Sequence, residues 1–463
     1  MKKLRFLSIF LVTALLTGLF STVALAAPED AAAAPAEPFS VAAKAALLVD
    51  GKTGQVLYEQ NADAQLYPAS ITKVMTTLLV LQAIDEGKLS LDQTITASQS
   101  AINMLTADSS TAGIKVGEQL TVEQLLYCVM VKSANEACYI LAEAVSGTTD
   151  AFVKKMNEEA KRLGCENTNY VNPCGIHDPQ HYTSAHDIYV IAKEAMKYNF
   201  FMTLADTKLY KLPATNMSEE RVMHTTNFLL DQWRAIGYLY PYAHGIKTGH
   251  TSDAGYCLVS SAEKGERSLI SVILGAQAVK NGDKTDYQSF SETKRMFEWG
   301  FSNFRQATIL DHATLVDEVP VTLSRMTNYV SVHPAEDVQV LLPVDLSVDD
   351  LVEEVTIDAE SVEAPVAADQ QLGSITVKNK DGLVYATVPL VASNEVPASA
   401  MLTAMHKVKV FFSNPLVKIA AVVLVILIIV LIVHYFRHRR PRYRGGQSFR
   451  TRSRNRRYRG RRR

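Results

Sequence analysis

The longest unbroken apolar run in this chain is Ile419 to Val433, and a second apolar run, Phe6 to Phe20, stands near the other end. Between them the hydrophobic spacing changes three times. Ala45 to Asp50 and Gln55 to Glu59 read as strands joined by the turn Gly51-Lys52-Thr53-Gly54. Apolar residues then recur at helical spacing, predicting helices over Ile71 to Glu86, Leu120 to Val131, Glu136 to Val145, Ala151 to Leu163 and Asp187 to Tyr198. Gly87 stops the first, and Thr183 to Asp187 supply capping residues for the last. Strand character returns at Lys247 to Gly249 and Tyr256 to Ser261, which pair naturally with Ser268 to Gly275. Strands at both ends of a helical block predict one α/β unit, a mainly antiparallel sheet with flanking helices.

Beyond Trp299-Gly300-Phe301 the pattern shortens. Val319 to Leu323, Tyr329 to Val332, Val338 to Leu342, Val352 to Ile357, Ile375 to Lys378 and Val384 to Pro389 are β-branched runs separated by turn residues. They predict a small all-β domain over 306–391, with a spacing or interaction role.

Charge gives the two apolar runs different meanings. Lys2, Lys3 and Arg5 precede the first, and Ala24-Leu25-Ala26 follows as a small-residue cleavage site, so 1–26 reads as a secretory signal. Residues 27–39, rich in Ala, Pro and Glu, read as a linker, as do 392–415. The second run extends to 416–436, and at ~1.5 Å per residue it spans roughly 30 Å of hydrocarbon. The whole chain carries −1, yet fourteen arginines and no acid fall in 437–463, so residues 1–436 carry −15. Arginine-rich ends stay cytoplasmic. The expected protein is therefore single-pass in the cell membrane, its body on the extracytoplasmic face and its tail inside, within reach of anionic lipid or a cytoplasmic partner. An acidic body also argues against a nucleic-acid-binding catalytic domain. Five cysteines, an odd number in a chain of this size, do not form a disulfide framework, although one bridge remains open.

The candidate chemistry lies in three short motifs, in order: Ser70-Ile71-Thr72-Lys73, Ser133-Ala134-Asn135 and Lys247-Thr248-Gly249. Ser70 and Lys73 stand at i and i+3, on one face of a helix starting near Ser70. A serine hydroxyl becomes a nucleophile when a base takes its proton, and a lysine serves when neutral, a state that burial and a neighbouring cation such as Lys247 favour. Ser133 can relay that proton to a leaving amine, and the Asn135 amide can orient Lys73 and hold a substrate amide; the plain alternative is an N-cap pair for the helix at Glu136. Lys247 and Thr248 can attract and hydrogen-bond a carboxylate, and Gly249 lets a substrate backbone approach the strand edge. Gly51 to Gly54 already contains one Lys-Thr-Gly in a plain turn, so it is the ordered set that carries the signal.

With these residues the chain resembles the low-molecular-weight penicillin-binding proteins of the serine-type D-alanyl-D-alanine carboxypeptidase family (peptidase family S11). The similarity extends to Leu66-Tyr67-Pro68-Ala69-Ser70, Phe152-Val153 with Met156-Asn157, Asn172-Pro173 with Gly175, Asp178-Pro179, His181-Tyr182, Gly245-Ile246 and Trp299-Gly300-Phe301. The resemblance implies a penicillin-binding/β-lactamase-like catalytic domain over about 40–305 and the family's C-terminal β-domain over 306–391. It implies removal of the terminal D-alanine from peptidoglycan pentapeptides, with β-lactams as inhibitors. It further implies Ser70 as acyl-enzyme nucleophile, Lys73 as proton acceptor, Ser133 as relay, and an oxyanion hole from the backbone N–H groups of Ser70 and His250. Neither cofactor nor metal is called for.

Three departures stand out. Ser289 occupies the place, ten residues before Trp299, where many relatives have an arginine that helps hold the substrate carboxylate, and Lys284 is a candidate substitute. Cys174 replaces a more usual polar or charged residue. A spanning segment stands where the family often has an amphipathic anchor. His177 and His181, four apart with His186 nearby, invite a metal reading, but Pro179 between them disfavours a helical ligand pair. Two other readings use the same motifs: a β-lactamase, for which no Glu-x-x-x-Asn element appears between Asn135 and Lys247, and an inactive wall-binding homologue, which would need no paired base and nucleophile.

Overall fold

The computed structural model describes residues 39–438; the expected signal and linker before Phe39 and the tail beyond His438 lie outside the described residues. Backbone packing divides the chain at Phe304 into two units.

In the first unit five antiparallel strands form one sheet in the order β2-β1-β5-β4-β3: β1 (Ala45–Asp50), β2 (Val56–Gln60), β3 (Ala243–Thr251), β4 (Gly255–Lys264) and β5 (Arg267–Ala276). Both chain ends contribute, as the alternation of strand and helix patterns predicts. All six residues of β1 are buried, so both faces of the sheet are covered. The period of two sorts its side chains. Ala45, Leu47 and Val49, with Ile270, Val272 and Leu274 of β5, join the main helical core. Leu48 and Leu269 face the other way, where Gly300 lets the helix α7 (Gln288–Asn303) come close; a Cβ there would lie 2.9 Å from both leucines.

The helical layer comprises α1 (Lys73–Asp85), α2 (Val122–Met130), α3 (Asn135–Ser146), α4 (Thr149–Arg162), α5 (Ala185–Ala195) and α6 (Asn199–Asp206). Ten of the thirteen residues of α1 are buried around its whole circumference, which makes it the central helix of the core. Capping follows the sequence: Thr121 and Gln124 close a capping box on α2, and the Ser184 hydroxyl accepts from the Asp187 N–H at the start of α5.

Two expectations are corrected. Ser70 does not stand on the α-helix; it sits in a 3-10 turn, Ala69–Thr72, that leads into α1, and Ala69 has φ +47°. Helices α6 and α7 add to the expected set, because few apolar positions are scattered among the polar residues of α7 and a short connection hides α6 behind α5.

The second unit holds a six-stranded sheet built from β6 (Asp317–Thr322), β7 (Tyr329–Pro334), β8 (Val352–Ile357), β9 (Val362–Glu363), β10 (Gln371–Lys378) and β11 (Val384–Ala392), in the order β8-β10-β11-β7-β6-β9. Its core is β-branched and aliphatic, with Val319, Val332, Ile375, Val377 and Leu390 fully or nearly fully buried. Residues 392–415, read as a linker, contain a helix, α8 (Ala400–Ser413), capped by the Ser399 side chain. No glycine or proline falls between Pro397 and Pro415, so the chain has no reason to leave the helix there. The last described element is α9 (Pro415–His438), long and apolar enough to cross a membrane.

Candidate active site

All three motifs converge. The 3-10 turn presents Ser70 Oγ to Lys73 Nζ at 2.8 Å. The same amine lies 2.8 Å from Asn135 Oδ1 and 2.7 Å from the Cys174 carbonyl oxygen, and Lys73 is fully buried. Two of these partners, an amide oxygen and a backbone carbonyl, can only accept. When the amine gives up a proton, these two acceptors hold its remaining N–H groups and its lone pair faces the single partner able to donate, the Ser70 hydroxyl. The arrangement is that of a hydroxyl and its base.

Asn135 opens α3, but Ala134 is the N-cap and no side chain caps it, so the N-cap alternative for Ser133 and Asn135 does not hold. Asn135 instead spends its carbonyl on Lys73 and its NH2 on Ser109 Oγ at 3.2 Å. Ser133, held at φ +62°, lies 3.0 Å from Lys247 Nζ. The motif serine therefore meets the second amine.

Strand β3 stands at the sheet edge and carries Lys247, Thr248, Gly249 and His250. Lys247 is buried, and its amine also donates to its neighbour's backbone, the Thr248 carbonyl, at 3.1 Å. Burial first, and the positive charge of Lys73 second, hold Lys247 well below the ordinary lysine range. Thr248 points to the cleft, its hydroxyl 2.6 Å from that of Thr226. A Cβ at Gly249 would lie 2.8 Å from the Pro68 carbonyl oxygen and 3.1 Å from Ser70 N, so only glycine lets the strand edge lie against the serine turn. His250 lines the cleft, its ring 4.1 Å from Tyr256, and partial burial lowers it.

Several contributors lie outside the three motifs. The turn Asn172–Ile176 supplies the Cys174 carbonyl; Asn172 Oδ1 fixes it by accepting from the N–H groups of Cys174, Gly175 and Ile176, the shortest at 2.7 Å. Gly175 has φ +82°, and a Cβ there would collide with the Ala69 carbonyl. His181 braces the same turn. Its Nδ1 accepts from Val171 N–H at 3.2 Å and its Nε2 meets Thr72 Oγ1 at 2.8 Å. Thr72 already donates to the Ala69 carbonyl, so His181 is a neutral ring with the proton on Nε2, and burial lowers it to about 4. Behind Ser109 and Ser110, the Glu136 carboxylate accepts from Thr111 Oγ1 at 2.6 Å and Ala112 N–H at 2.8 Å, fastening that loop. The five cysteines are free and buried; burial pushes the thiols of Cys128, Cys138, Cys165, Cys174 and Cys257 up. The three acid and imidazole groups that come together among the described residues, Asp311, His312 and Asp337, lie exposed in the second unit as an ion pair between His312 and Asp337 at 2.7 Å.

A serine with an amine neighbour, an amide brace and a lysine-backed strand edge, set between a five-stranded sheet and a helical layer, is the arrangement of the penicillin-binding/β-lactamase-like fold. The sequence profile of D-alanyl-D-alanine carboxypeptidase matches residues 30–278, and that of the penicillin-binding protein 5 C-terminal domain matches 304–398. D-alanyl-D-alanine carboxypeptidase DacF of Bacillus subtilis is 31% identical over 365 residues, 79% of this chain and 88% of that protein. DacA of Escherichia coli is 30% identical, covering 77% and 84%. Among solved structures, penicillin binding protein 5 from Haemophilus influenzae superposes with a TM-score of 0.64 at 29% identity, over 78% of this chain and 99% of that one. A point mutant of Streptomyces K15 DD-transpeptidase gives 0.51 at 30% identity, over 57% and 100%. The chain belongs to the D-alanyl-D-alanine carboxypeptidase family of penicillin-binding proteins. Its first unit has the penicillin-binding/β-lactamase-like fold, followed by the family's all-β C-terminal domain and one long apolar helix.

Proposed function

We propose that this protein removes the terminal D-alanine from peptidoglycan pentapeptide stems through an acyl-enzyme on Ser70. The observation that carries the reading is the Lys73 amine, 2.8 Å from Ser70 Oγ, with two acceptors engaging its N–H groups. Ser70 Oγ attacks the carbonyl of the penultimate residue while Lys73 Nζ takes its proton. The tetrahedral oxygen receives hydrogen bonds from the backbone N–H groups of Ser70 and His250. Collapse breaks the peptide bond, and the leaving amine receives its proton through Ser133, whose hydroxyl touches Lys247. Water then attacks the ester, its proton returns to Ser70, and the shortened peptide leaves.

A β-lactam offers the same carboxylate beside a strained amide and acylates the same serine, but its ring-opened ester blocks the site, and no added general base for water is evident in the motifs. The body works outside the membrane, α9 crosses it, and the arginine tail lies in the cytoplasm, where it meets anionic lipid or a partner.

The test pairs D-alanine release from a D-Ala-D-Ala-terminated pentapeptide with intact mass after penicillin treatment, in wild type, Ser70→Ala and Lys73→Ala. The expected result is one D-alanine per peptide, a stable penicilloyl adduct, and loss of both in the two variants. Fast penicillin hydrolysis without D-alanine release would overturn the reading in favour of a β-lactamase. An amide-linked product formed with an added amine would make the enzyme a transpeptidase.

A further inference from the structure

The cleft over Ser70 encloses about 450 Å³ and runs from Ser70 past Thr248 and Thr226 to Ser289. Neither motif lysine lines it: both are buried, and both amines face protein acceptors. Lys284, the candidate replacement for the arginine absent at Ser289, is exposed in a hairpin strand (Lys284–Tyr287) and does not line the cleft either. Arg234 does. It is the one lysine or arginine on the cleft wall among the described residues, and its guanidinium has no hydrogen-bond or ion-pair partner among them.

The loop that carries Arg234 is tied at both ends to the part of the cleft where a carboxylate has to sit. On one side Trp233 Nε1 donates to the Thr225 carbonyl at 2.9 Å, and the Trp233 ring stacks on His224 at 4.7 Å. Thr225 immediately precedes Thr226, whose hydroxyl meets Thr248. On the other side the Tyr238 hydroxyl accepts from the Tyr287 N–H at 2.8 Å, two residues before Ser289. The loop therefore bridges the two edges between which the missing positive charge belongs.

We propose that the Arg234 guanidinium binds the terminal carboxylate of the substrate, together with the Thr226 and Thr248 hydroxyls, and supplies from a loop the charge that Ser289 lacks. A free guanidinium offers two parallel N–H donors to a carboxylate, a geometry a lysine cannot match. Because Lys247 is held below the ordinary lysine range, Arg234 is also the cation whose charge does not vary with pH. This assignment rests on the peptidase reading above, which makes the ligand a peptide with a free C-terminus.

The experiment uses the full-length protein in detergent micelles, as wild type, Arg234→Ala and Arg234→Lys, on one D-Ala-D-Ala peptide as free acid and as C-terminal amide. In parallel, intact mass follows acylation by benzylpenicillin and by its methyl ester. Arg234→Ala should raise KM for the free acid about ten-fold, the size expected of a charge-assisted contact open to solvent, with kcat within about two-fold. The amide should be unaffected, Arg234→Lys should recover part of the loss, and penicillin acylation should slow by a similar factor for the acid alone. Equal losses on acid and amide would make the loop merely structural and overturn the proposal, as would no loss on the acid. If wild type is acylated by penicillin but cleaves no peptide, the peptidase reading falls, and the acid-versus-ester comparison still decides the role of Arg234. A wild type inert to both compounds overturns both.

Discussion

His181 shows how much one buried side chain can do without touching the reacting atoms. It is 2% exposed, neutral, and joins Thr72, at the end of the serine turn, to the bend at Val171. Burial lowers it from 6.5 to about 4, with the charges of Lys73 and His177 adding to the effect and Asp178 opposing it. Between those values the unfolded chain binds a proton that the folded one refuses, so the contribution of His181 to stability falls as pH drops through the window from 6.5 to 4 and is constant on either side. At 1.36 kcal/mol per unit the total is about 3 kcal/mol. A His181→Gln variant keeps an amide beside Thr72 and removes the titration. Urea unfolding measured from pH 7 to pH 4 should then show a loss of stability smaller by about that amount. Parallel curves for variant and wild type would exclude His181 as the source.

At the scale of elements, the site depends on an approach between a strand and a turn that only one side chain size allows. β3 lies against the Ala69–Thr72 turn because Gly249 has no Cβ to meet Pro68 and Ser70. Gly249→Ala should push the strand away by a few tenths of an ångström, cost about 1–3 kcal/mol through overpacking, and slow penicillin acylation by about a hundred-fold, since Thr248 and the His250 N–H move with it. Thermal unfolding and acylation rate measured on the same sample separate the two effects. Acylation at the wild-type rate would show that the close approach has no part in catalysis.

Across the whole molecule, an acidic body and an arginine-rich end lie on opposite sides of one apolar helix in the chain. Protease added to intact cells should digest the catalytic domain and spare a tag placed after Arg463. A tag cleaved from outside would reverse the topology. Truncation after Ala392 removes α8 and α9 but none of the residues assigned to catalysis, and should release soluble protein with unchanged penicillin acylation.

What the sequence determined by itself is chiefly local. The near-continuous apolar runs of β1 and β5, the all-round apolar character of α1, the caps at Thr121 and Ser184, and the apolar run within α9 are properties of neighbouring residues, and each is visible as a run or a flanking signal. The motif residues were legible because an uncommon set of side chains recurs in order. Tertiary structure alone decided their partners. Lys73 and Asn135 are 62 residues apart, and Ser133 and Lys247 are 114 apart. No local pattern states that Ser133 meets Lys247 instead of Lys73, or that Lys247 is sealed behind the strand it labels. The Cys174 carbonyl gives no side-chain signal at all, because any residue carries one. Arg234 reads in sequence as an ordinary charged residue in a loop; its place on the cleft wall follows from the anchoring of Trp233 and Tyr238 to segments up to 49 residues away. Short-range preferences are written in the order of the residues, whereas long-range contacts exist only once packing has brought distant segments together.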